Sequence, residues 1–198
     1  MPIRLDYQMI EEYVEPGSRV LDLGCGEGAL LKQLILEKGC SGIGVDHDLE
    51  QVHGCIARGV PVYHGEMLEA MEMFDDDRFD CVVLSQTLQQ TSRPDRVVQE
   101  MMRVGRRAII SFPNFAHWAV RLALLVRGHM PATRVLPYSW YETPNIHLLT
   151  VRDFYTFCRE QGVRVTDSIF LNSSFHRVPG FLANLLASMA IFVVERET

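Results

Sequence analysis

The chain has 198 residues, which is a usual length for one domain and is enough to bury a substantial core. Its composition, 47% hydrophobic and 22% charged, is typical of a folded globular protein and excludes a largely disordered chain. The net charge of −6 argues against non-specific binding to nucleic acid, because that binding needs Lys and Arg to neutralise phosphates.

The cysteines and the apolar stretches argue against a disulfide-rich, zinc-binding, secreted or membrane-spanning protein. There are 5 cysteines and no CxxC pair, which predicts reduced, buried thiols rather than a disulfide framework or a closed zinc site. Residues 1–15 lack the apolar segment of a secretory signal. The longest apolar run, 181–194, has only about half the length that crosses a bilayer. We therefore expect a cytoplasmic protein with no membrane span and no bound metal.

Apolar spacing alternates between that of helices and that of strands along the chain. The predicted helices are 5–14, 30–37, 49–58, one that begins at Pro94, and 152–161. The predicted strands are 19–23, 42–45, 60–63, 79–84, 107–112, 163–171 and 188–195. This order predicts one α/β, Rossmann-like domain over 1–198, with a mostly parallel seven-stranded sheet, helices on both faces and an antiparallel strand at the C-terminal end.

A long insertion, 113–145, follows the strand at 107–112 and is expected at the edge where open α/β sheets bind ligands. Its predicted helix is apolar on most of its circumference. One face carries Trp118, Ala119, Leu122, Leu125 and Val126, and the other carries Val120 and Leu124. The helix is interpreted as a lid, as a docking surface with Leu124 exposed on its outer side, or as an element buried against the domain's own core.

The first strand runs into a glycine-rich turn, Gly24-Cys25-Gly26-Glu27-Gly28, that begins a helix. Glycines there let the backbone turn sharply and approach a ligand. With Ala29 the spacing also fits a dinucleotide fingerprint, so a nicotinamide cofactor is one alternative. The turn has Asp22 and Glu27 beside it but no Lys or Arg, which suits the sulfonium and ammonium groups of S-adenosylmethionine better than a pyrophosphate.

Acidic residues at the ends of the next two strands extend this predicted site. Asp46 lies where an acid commonly binds ribose hydroxyls, although it could instead cap the following helix, as Asp48 could. His47 and Cys25 are placed in the same cofactor site, and for Cys25 a small loop side chain is favoured over a nucleophile. Glu66 and Met67 are expected to flank the adenine, with a plain solvent-facing turn as the alternative.

Several blocks resemble known families. VLDLGCGEG, GIGVD and FDCVVLSQTLQ resemble the class I methyltransferases, and SFPNFAHW and PYSWYETPNIH are similar to the MetW family of methionine biosynthesis proteins. The resemblance implies the class I methyltransferase fold and an accessory role with homoserine O-acyltransferase. It implies cofactor contacts at Asp22, Gly24, Gly26, Asp46, Glu66 and Met67, with Ser85 and Gln86 beside the methyl group. Many methyltransferases have Asp where Glu66 stands.

The sequence does not single out a catalytic residue. The fourth strand ends in Ser85-Gln86 rather than in the Asn/Asp-Pro-Pro-aromatic cluster that methylates nucleic-acid amines. His117, Tyr138, Tyr141 and His147 are the candidate proton acceptors, and for each the alternative is a packing or helix-starting role. Three functions stay open: an accessory factor in methionine biosynthesis, a methyltransferase that acts on a small metabolite, and, less favoured, a nicotinamide-dependent reductase.

Overall fold

The computed structural model describes residues 5–133 and 136–197. Its strands are β1 (Arg19–Leu23), β2 (Ser41–Asp46), β3 (Val62–His64), β4 (Cys81–Ser85), β5 (Arg107–Pro113), β6 (Val163–Leu171) and β7 (Met189–Arg196). Its helices are α1 (Leu5–Glu12), α2 (Ala29–Lys38), α3 (Leu49–Ala57), α4 (Met67–Glu72), α5 (Pro94–Val104), α6 (Trp118–Arg127), α7 (Val151–Glu160) and α8 (Ala183–Leu186). Short 3₁₀ turns lie at Leu88–Gln90 and Gly180–Leu182.

Within the described residues the strands form one sheet in the order β3-β2-β1-β4-β5-β7-β6. Strands β1 to β5 pair in parallel, and β7 pairs antiparallel with both β5 and β6. The predicted α/β fold with a terminal antiparallel pair is therefore confirmed. Leu23 is in register with both Val45 and Leu84, so the carboxyl ends of β1, β2 and β4 meet at one edge.

The core lies on both faces of the sheet, because alternate residues of a strand point to opposite sides. In β4, Val82 and Leu84 belong to one apolar cluster, and Cys81 and Val83 belong to the other. The first cluster contains α5 and α7 residues and a group of aromatic rings. Phe192 is fully buried there, with its ring centroid 4.6 Å from that of Phe154.

Helix α6 is the predicted helix of the insertion, but it is not buried. Val120 is its only buried residue, so burial against the domain's own core is the wrong interpretation. Leu124 is exposed as expected, at 43%, yet Leu125 at 84% is far more exposed. The side of the helix that faces outward is therefore the side of Leu125. None of the described helices is long and apolar enough to cross a membrane.

The aromatic cluster gives a stability prediction. Phe192→Ala should lower the free energy of unfolding by about 3–5 kcal/mol, because it removes a fully buried ring that also packs against Phe112 and Phe170. Phe181→Ala is the matched control, since Phe181 is 87% exposed and should change stability by less than about 0.5 kcal/mol. Urea unfolding compares the two variants, and equal midpoints would contradict this description of the core.

Candidate functional site

The glycine turn after β1 has a backbone that only glycine adopts easily. Gly24, Gly26 and Gly28 have φ values of +65°, +56° and +73°. Gly24 is also crowded, because a Cβ there would lie 2.7 Å from Oγ1 of Thr87, beyond the end of β4. The amides of Gly24 and Cys25 donate to the Val45 carbonyl at 2.8 and 3.1 Å, which fixes the turn against β2.

Asp46, at the end of β2, joins this turn to the start of α3. Its carboxylate is buried and accepts hydrogen bonds from the amide of Gly26 at 2.8 Å and from that of Asp48 at 3.0 Å. The cap of α3 is Asp48, whose side chain accepts from the amide of Glu50, so Asp46 is not the helix cap. A carboxylate has about four lone-pair positions, and these two bonds leave capacity for a ligand.

A cleft of about 970 Å³ opens over these strand ends, near the upper limit for small-molecule sites. Part of its lining comes from the ends of β1 and β2 and from the segment after β3. The rest comes from the residues after β4 and from 138–146. The lining residues are Gly24, Val45, Asp46, His47, Asp48, Gln51, Gly65, Glu66, Met67, Leu68, Glu69, Thr87, Gln90, Thr91, Ser92, Arg93, Val97, Tyr138, Pro144 and Ile146.

The glycine turn has a basic neighbour from another part of the chain. Arg58, at the end of α3, forms an ion pair with the Glu27 carboxylate and donates to the Glu27 carbonyl at 3.1 Å. The turn itself has no Lys or Arg, as its sequence shows, but Glu27 is neutralised by Arg58 from another part of the chain. The unfavourable field for a pyrophosphate then depends on the buried carboxylates of Asp22 and Asp46.

Cys25 is a packing residue. Its thiol is buried, with Sγ 3.7 Å from Sγ of Cys55. Burial raises the pKa of Cys25, and the nearby Asp22 carboxylate raises it further. A raised pKa disfavours the thiolate form that a nucleophile needs.

Unsatisfied polar atoms mark the end of β4. Gln86 has a left-handed backbone with φ +60°, an uncommon conformation for a residue with a side chain. Among the described residues, Gln86 Nε2 and Gln89 Oε1 are buried without a hydrogen-bond partner. Each such atom costs about 1–3 kcal/mol, and strain of this kind is concentrated at functional sites.

With this geometry in place, the chain can be compared with known proteins. The sequence model described as "Methionine biosynthesis protein MetW" matches residues 4–194. The chain belongs to the MetW family.

This MetW chain is similar to relatives of more than one description. It is 32% identical to the "Bifunctional methionine biosynthesis protein MetXA/MetW" of Rhodopirellula baltica, over 98% of this chain and 33% of that protein. It is 31% identical to a ubiquinone biosynthesis O-methyltransferase of Hahella chejuensis, over 53% of this chain and 45% of that protein. The chain thus spans about a third and about half of these two relatives.

The fold is shared with solved structures. A SAM-dependent methyltransferase from Archaeoglobus fulgidus superposes with a TM-score of 0.70 and 14% identity, over 96% of this chain and 94% of that one. At that identity the likeness shows the fold alone. It agrees with the class I methyltransferase fold that the resemblance implied.

The structure brings together only part of the predicted site of this MetW chain. The predicted residues on the cleft lining are Gly24, Asp46, His47, Glu66, Met67 and Tyr138. Outside the lining are Asp22, Cys25, Gly26, Ser85, Gln86, His117, Tyr141 and His147. Asp22 and Cys25 are buried, and Gly26 donates its amide to Asp46. The ligand contacts of all these residues stay predictions.

The imidazoles of two candidate proton acceptors contact backbone atoms. His117 caps α6, with Nδ1 accepting from the Ala119 amide at 3.4 Å, and it lines a separate cavity of about 60 Å³. His117 is not among the residues that line the cleft. His147 lies well before α7 and does not start it, and its Nε2 is 3.0 Å from the Thr91 carbonyl. Tyr141 is exposed and packs edge-on against Trp140.

Sequence reasoning missed three residues that fix the segments after β4 and β5 in place. Thr87 packs against Gly24 of the turn. The Gln89 carbonyl accepts hydrogen bonds from the amides of Ile146 and His147, which connects the end of the insertion to the segment after β4. Asn114 is buried, with Oδ1 accepting from the Ala116 amide and Nδ2 donating to the Ala187 carbonyl at 2.7 Å. The available signal was the position of all three just after strands, within the LSQTLQ and SFPNFAHW blocks.

The contact between Gly24 and Thr87 gives a second prediction. Gly24→Ala should destabilise the fold by more than Gly17→Ala, a control with a similar φ of +75° but nothing within 4 Å of a Cβ. The control should cost only the left-handed strain, about 1–2 kcal/mol. Adding Thr87→Ala to Gly24→Ala should restore part of the excess. If thermal unfolding gave the same loss for both single variants, the crowding at Gly24 would be refuted.

Proposed function

We propose that this chain binds S-adenosylmethionine in the cleft and acts as an accessory factor of a homoserine O-acyltransferase in methionine biosynthesis. The observation that carries the cofactor proposal is Asp46, a buried carboxylate on the cleft lining that is already bonded to the amide of Gly26. The acyltransferase proposal is supported by family membership and by the name of the Rhodopirellula relative, which joins MetXA and MetW.

The residues present suit such a cofactor. Asp46 has lone pairs left for ribose hydroxyls, and Met67 offers a half-buried apolar side chain for an adenine face. Asp22 lies close enough to Cys25 to raise the pKa of its thiol, so its negative charge acts at the turn where a sulfonium and an ammonium group would lie. The cofactor itself supplies an electrophilic methyl group on sulfur.

A second function, methyl transfer to a small metabolite, is favoured by Tyr138. It is the only one of the candidate proton acceptors among the described residues that line the cleft. The similarity to a ubiquinone biosynthesis O-methyltransferase supports this alternative. In that case Tyr138 would orient or deprotonate the nucleophile, and most of the acceleration would come from proximity.

Calorimetric titration tests the cofactor site. S-adenosylmethionine and S-adenosylhomocysteine should both bind, NAD should not, and Asp46→Ala should weaken binding by about 1.5–3 kcal/mol because a charged hydrogen bond is lost. Glu50→Ala is the matched control, since it removes a nearby exposed carboxylate that does not line the cleft. Equal affinities in the two variants would remove Asp46 from the ligand site.

Two activity assays distinguish the accessory function from methyl transfer. An accessory factor should change the rate of a purified homoserine O-acyltransferase in a manner that depends on S-adenosylmethionine, and Asp46→Ala should reduce that dependence. A methyltransferase would instead release S-adenosylhomocysteine when a metabolite extract is added, and Tyr138→Phe would slow that release. An unchanged acyltransferase rate at every cofactor concentration would exclude the accessory function.

A further inference from the structure

A second cavity, of about 400 Å³, opens at the edge of the sheet opposite the cofactor cleft. The cleft lies over the carboxyl ends of β1, β2 and β4, whereas this cavity lies at the starts of β1, β4 and β5 and near the end of β7. Among the described residues the two have no lining residue in common. Its volume is in the range of small-molecule sites. We name it the distal cavity, and its lining includes Tyr13, Glu15, Pro16, Cys81, Arg106 and Glu195.

Several charged groups on the wall of the distal cavity are already bonded to other side chains. Asp80 accepts from Nη2 of Arg19 at 3.0 Å and from its Nε at 3.2 Å, and these hydrogen bonds lower the pKa of Asp80 to about 2. Glu195 accepts from Arg107 on one oxygen at 3.3 Å and from Arg164 on the other at 3.1 Å. These ion pairs therefore fix the wall of the cavity and leave little bonding capacity for a ligand.

Two opposite charges on the same wall lack a close partner. The Arg106 guanidinium donates no hydrogen bond within the described residues, and the Asp80 carboxylate, already held by Arg19, lies 3.9 Å from its Nη1. The Glu15 carboxylate has no hydrogen bond or ion pair in the described part of the chain, although its backbone carbonyl accepts from Oγ of Ser18 at 2.7 Å. Both side chains are exposed. An available cation and an available anion thus line one cavity.

This pair of charges selects among small ligands. A carboxylate alone would pair with Arg106 but would bring a like charge to Glu15, and an amine alone would do the reverse. A zwitterion satisfies both, because its carboxylate accepts from the guanidinium while its ammonium group donates to the Glu15 carboxylate. The rest of the lining includes Tyr13, Pro16 and the buried Cys81, which suit an apolar side chain.

We propose that the distal cavity binds a free α-amino acid with an apolar side chain, with the ligand carboxylate on Arg106 and the ligand ammonium group on Glu15. The inference does not depend on the cofactor cleft, so it stands whether the chain is an accessory factor or a methyltransferase. Because the two cavities open at opposite edges of the sheet, both ligands can be bound at once.

Calorimetric titration with L-methionine, an α-amino acid with an unbranched apolar side chain, tests the site. L-methionine should bind the wild-type chain. Its methyl ester lacks the carboxylate and N-acetyl-L-methionine lacks the ammonium group, so each should bind about tenfold more weakly or worse, the loss expected for a hydrogen bond to a charged group. Arg106→Gln and Glu15→Gln should weaken L-methionine binding by a similar factor. Arg127→Gln, which changes an exposed arginine outside the cavity, is the matched control and should bind like the wild type.

A competition experiment distinguishes the distal cavity from the cleft, because S-adenosylmethionine also contains a methionine part. L-methionine should bind with the same affinity after S-adenosylhomocysteine has filled the cleft, and loss of its binding there would overturn the proposal. Absence of L-methionine binding at millimolar concentration, or equal affinity in the wild type, Arg106→Gln and Glu15→Gln, would overturn it too. N-acetyl-L-methionine binding as tightly as L-methionine would make the site one for anions and contradict the assignment. If L-methionine binds and S-adenosylmethionine does not, the proposed function fails and this inference stands.

Discussion

The hydrogen bond from the Gly26 amide to the Asp46 carboxylate is the contact on which the candidate site depends. It joins the turn after β1 to the end of β2, and through Asp48 it also sets the start of α3. The glycine turn thus meets, at one buried charge, a strand end and a helix start that lie 20 residues further along the chain. Because burying a carboxylate is costly unless it is well bonded, this arrangement makes the floor of the cleft a fixed structure rather than a set of loose loop ends.

Much of the fold followed from the sequence because its signals are local. Glycines end helices, Pro94 begins one, and apolar runs mark the strands that are buried on both faces. Asp46 could be found because a strand end and a spacing from the first glycine define its position. The docking of α6 depended instead on tertiary contacts, such as those of the Arg121 guanidinium with Ala116 and Asn184, which no periodicity reveals.

The site was less predictable than the fold for the same reason. The pairing of Arg58 with Glu27 joins residues from α3 and the glycine turn, so counting charges along the turn could not show it. His117 was a candidate base because of its residue type, but it stands at the N-terminal cap of α6, where its side chain accepts a hydrogen bond from a backbone amide. Thr87 and Gln89 stand just after a strand in sequence, but their contacts with Gly24 and with the amides of Ile146 and His147 are tertiary.

The central claim is that the cleft holds S-adenosylmethionine with its ribose on Asp46. A crystal structure of the chain with S-adenosylhomocysteine tests it most directly. The account predicts ribose hydroxyls within hydrogen-bond distance of the Asp46 carboxylate, the adenine beside Met67, and the Gly26 amide still bonded to Asp46. A ligand bound elsewhere, or one whose ribose avoids Asp46, would contradict it.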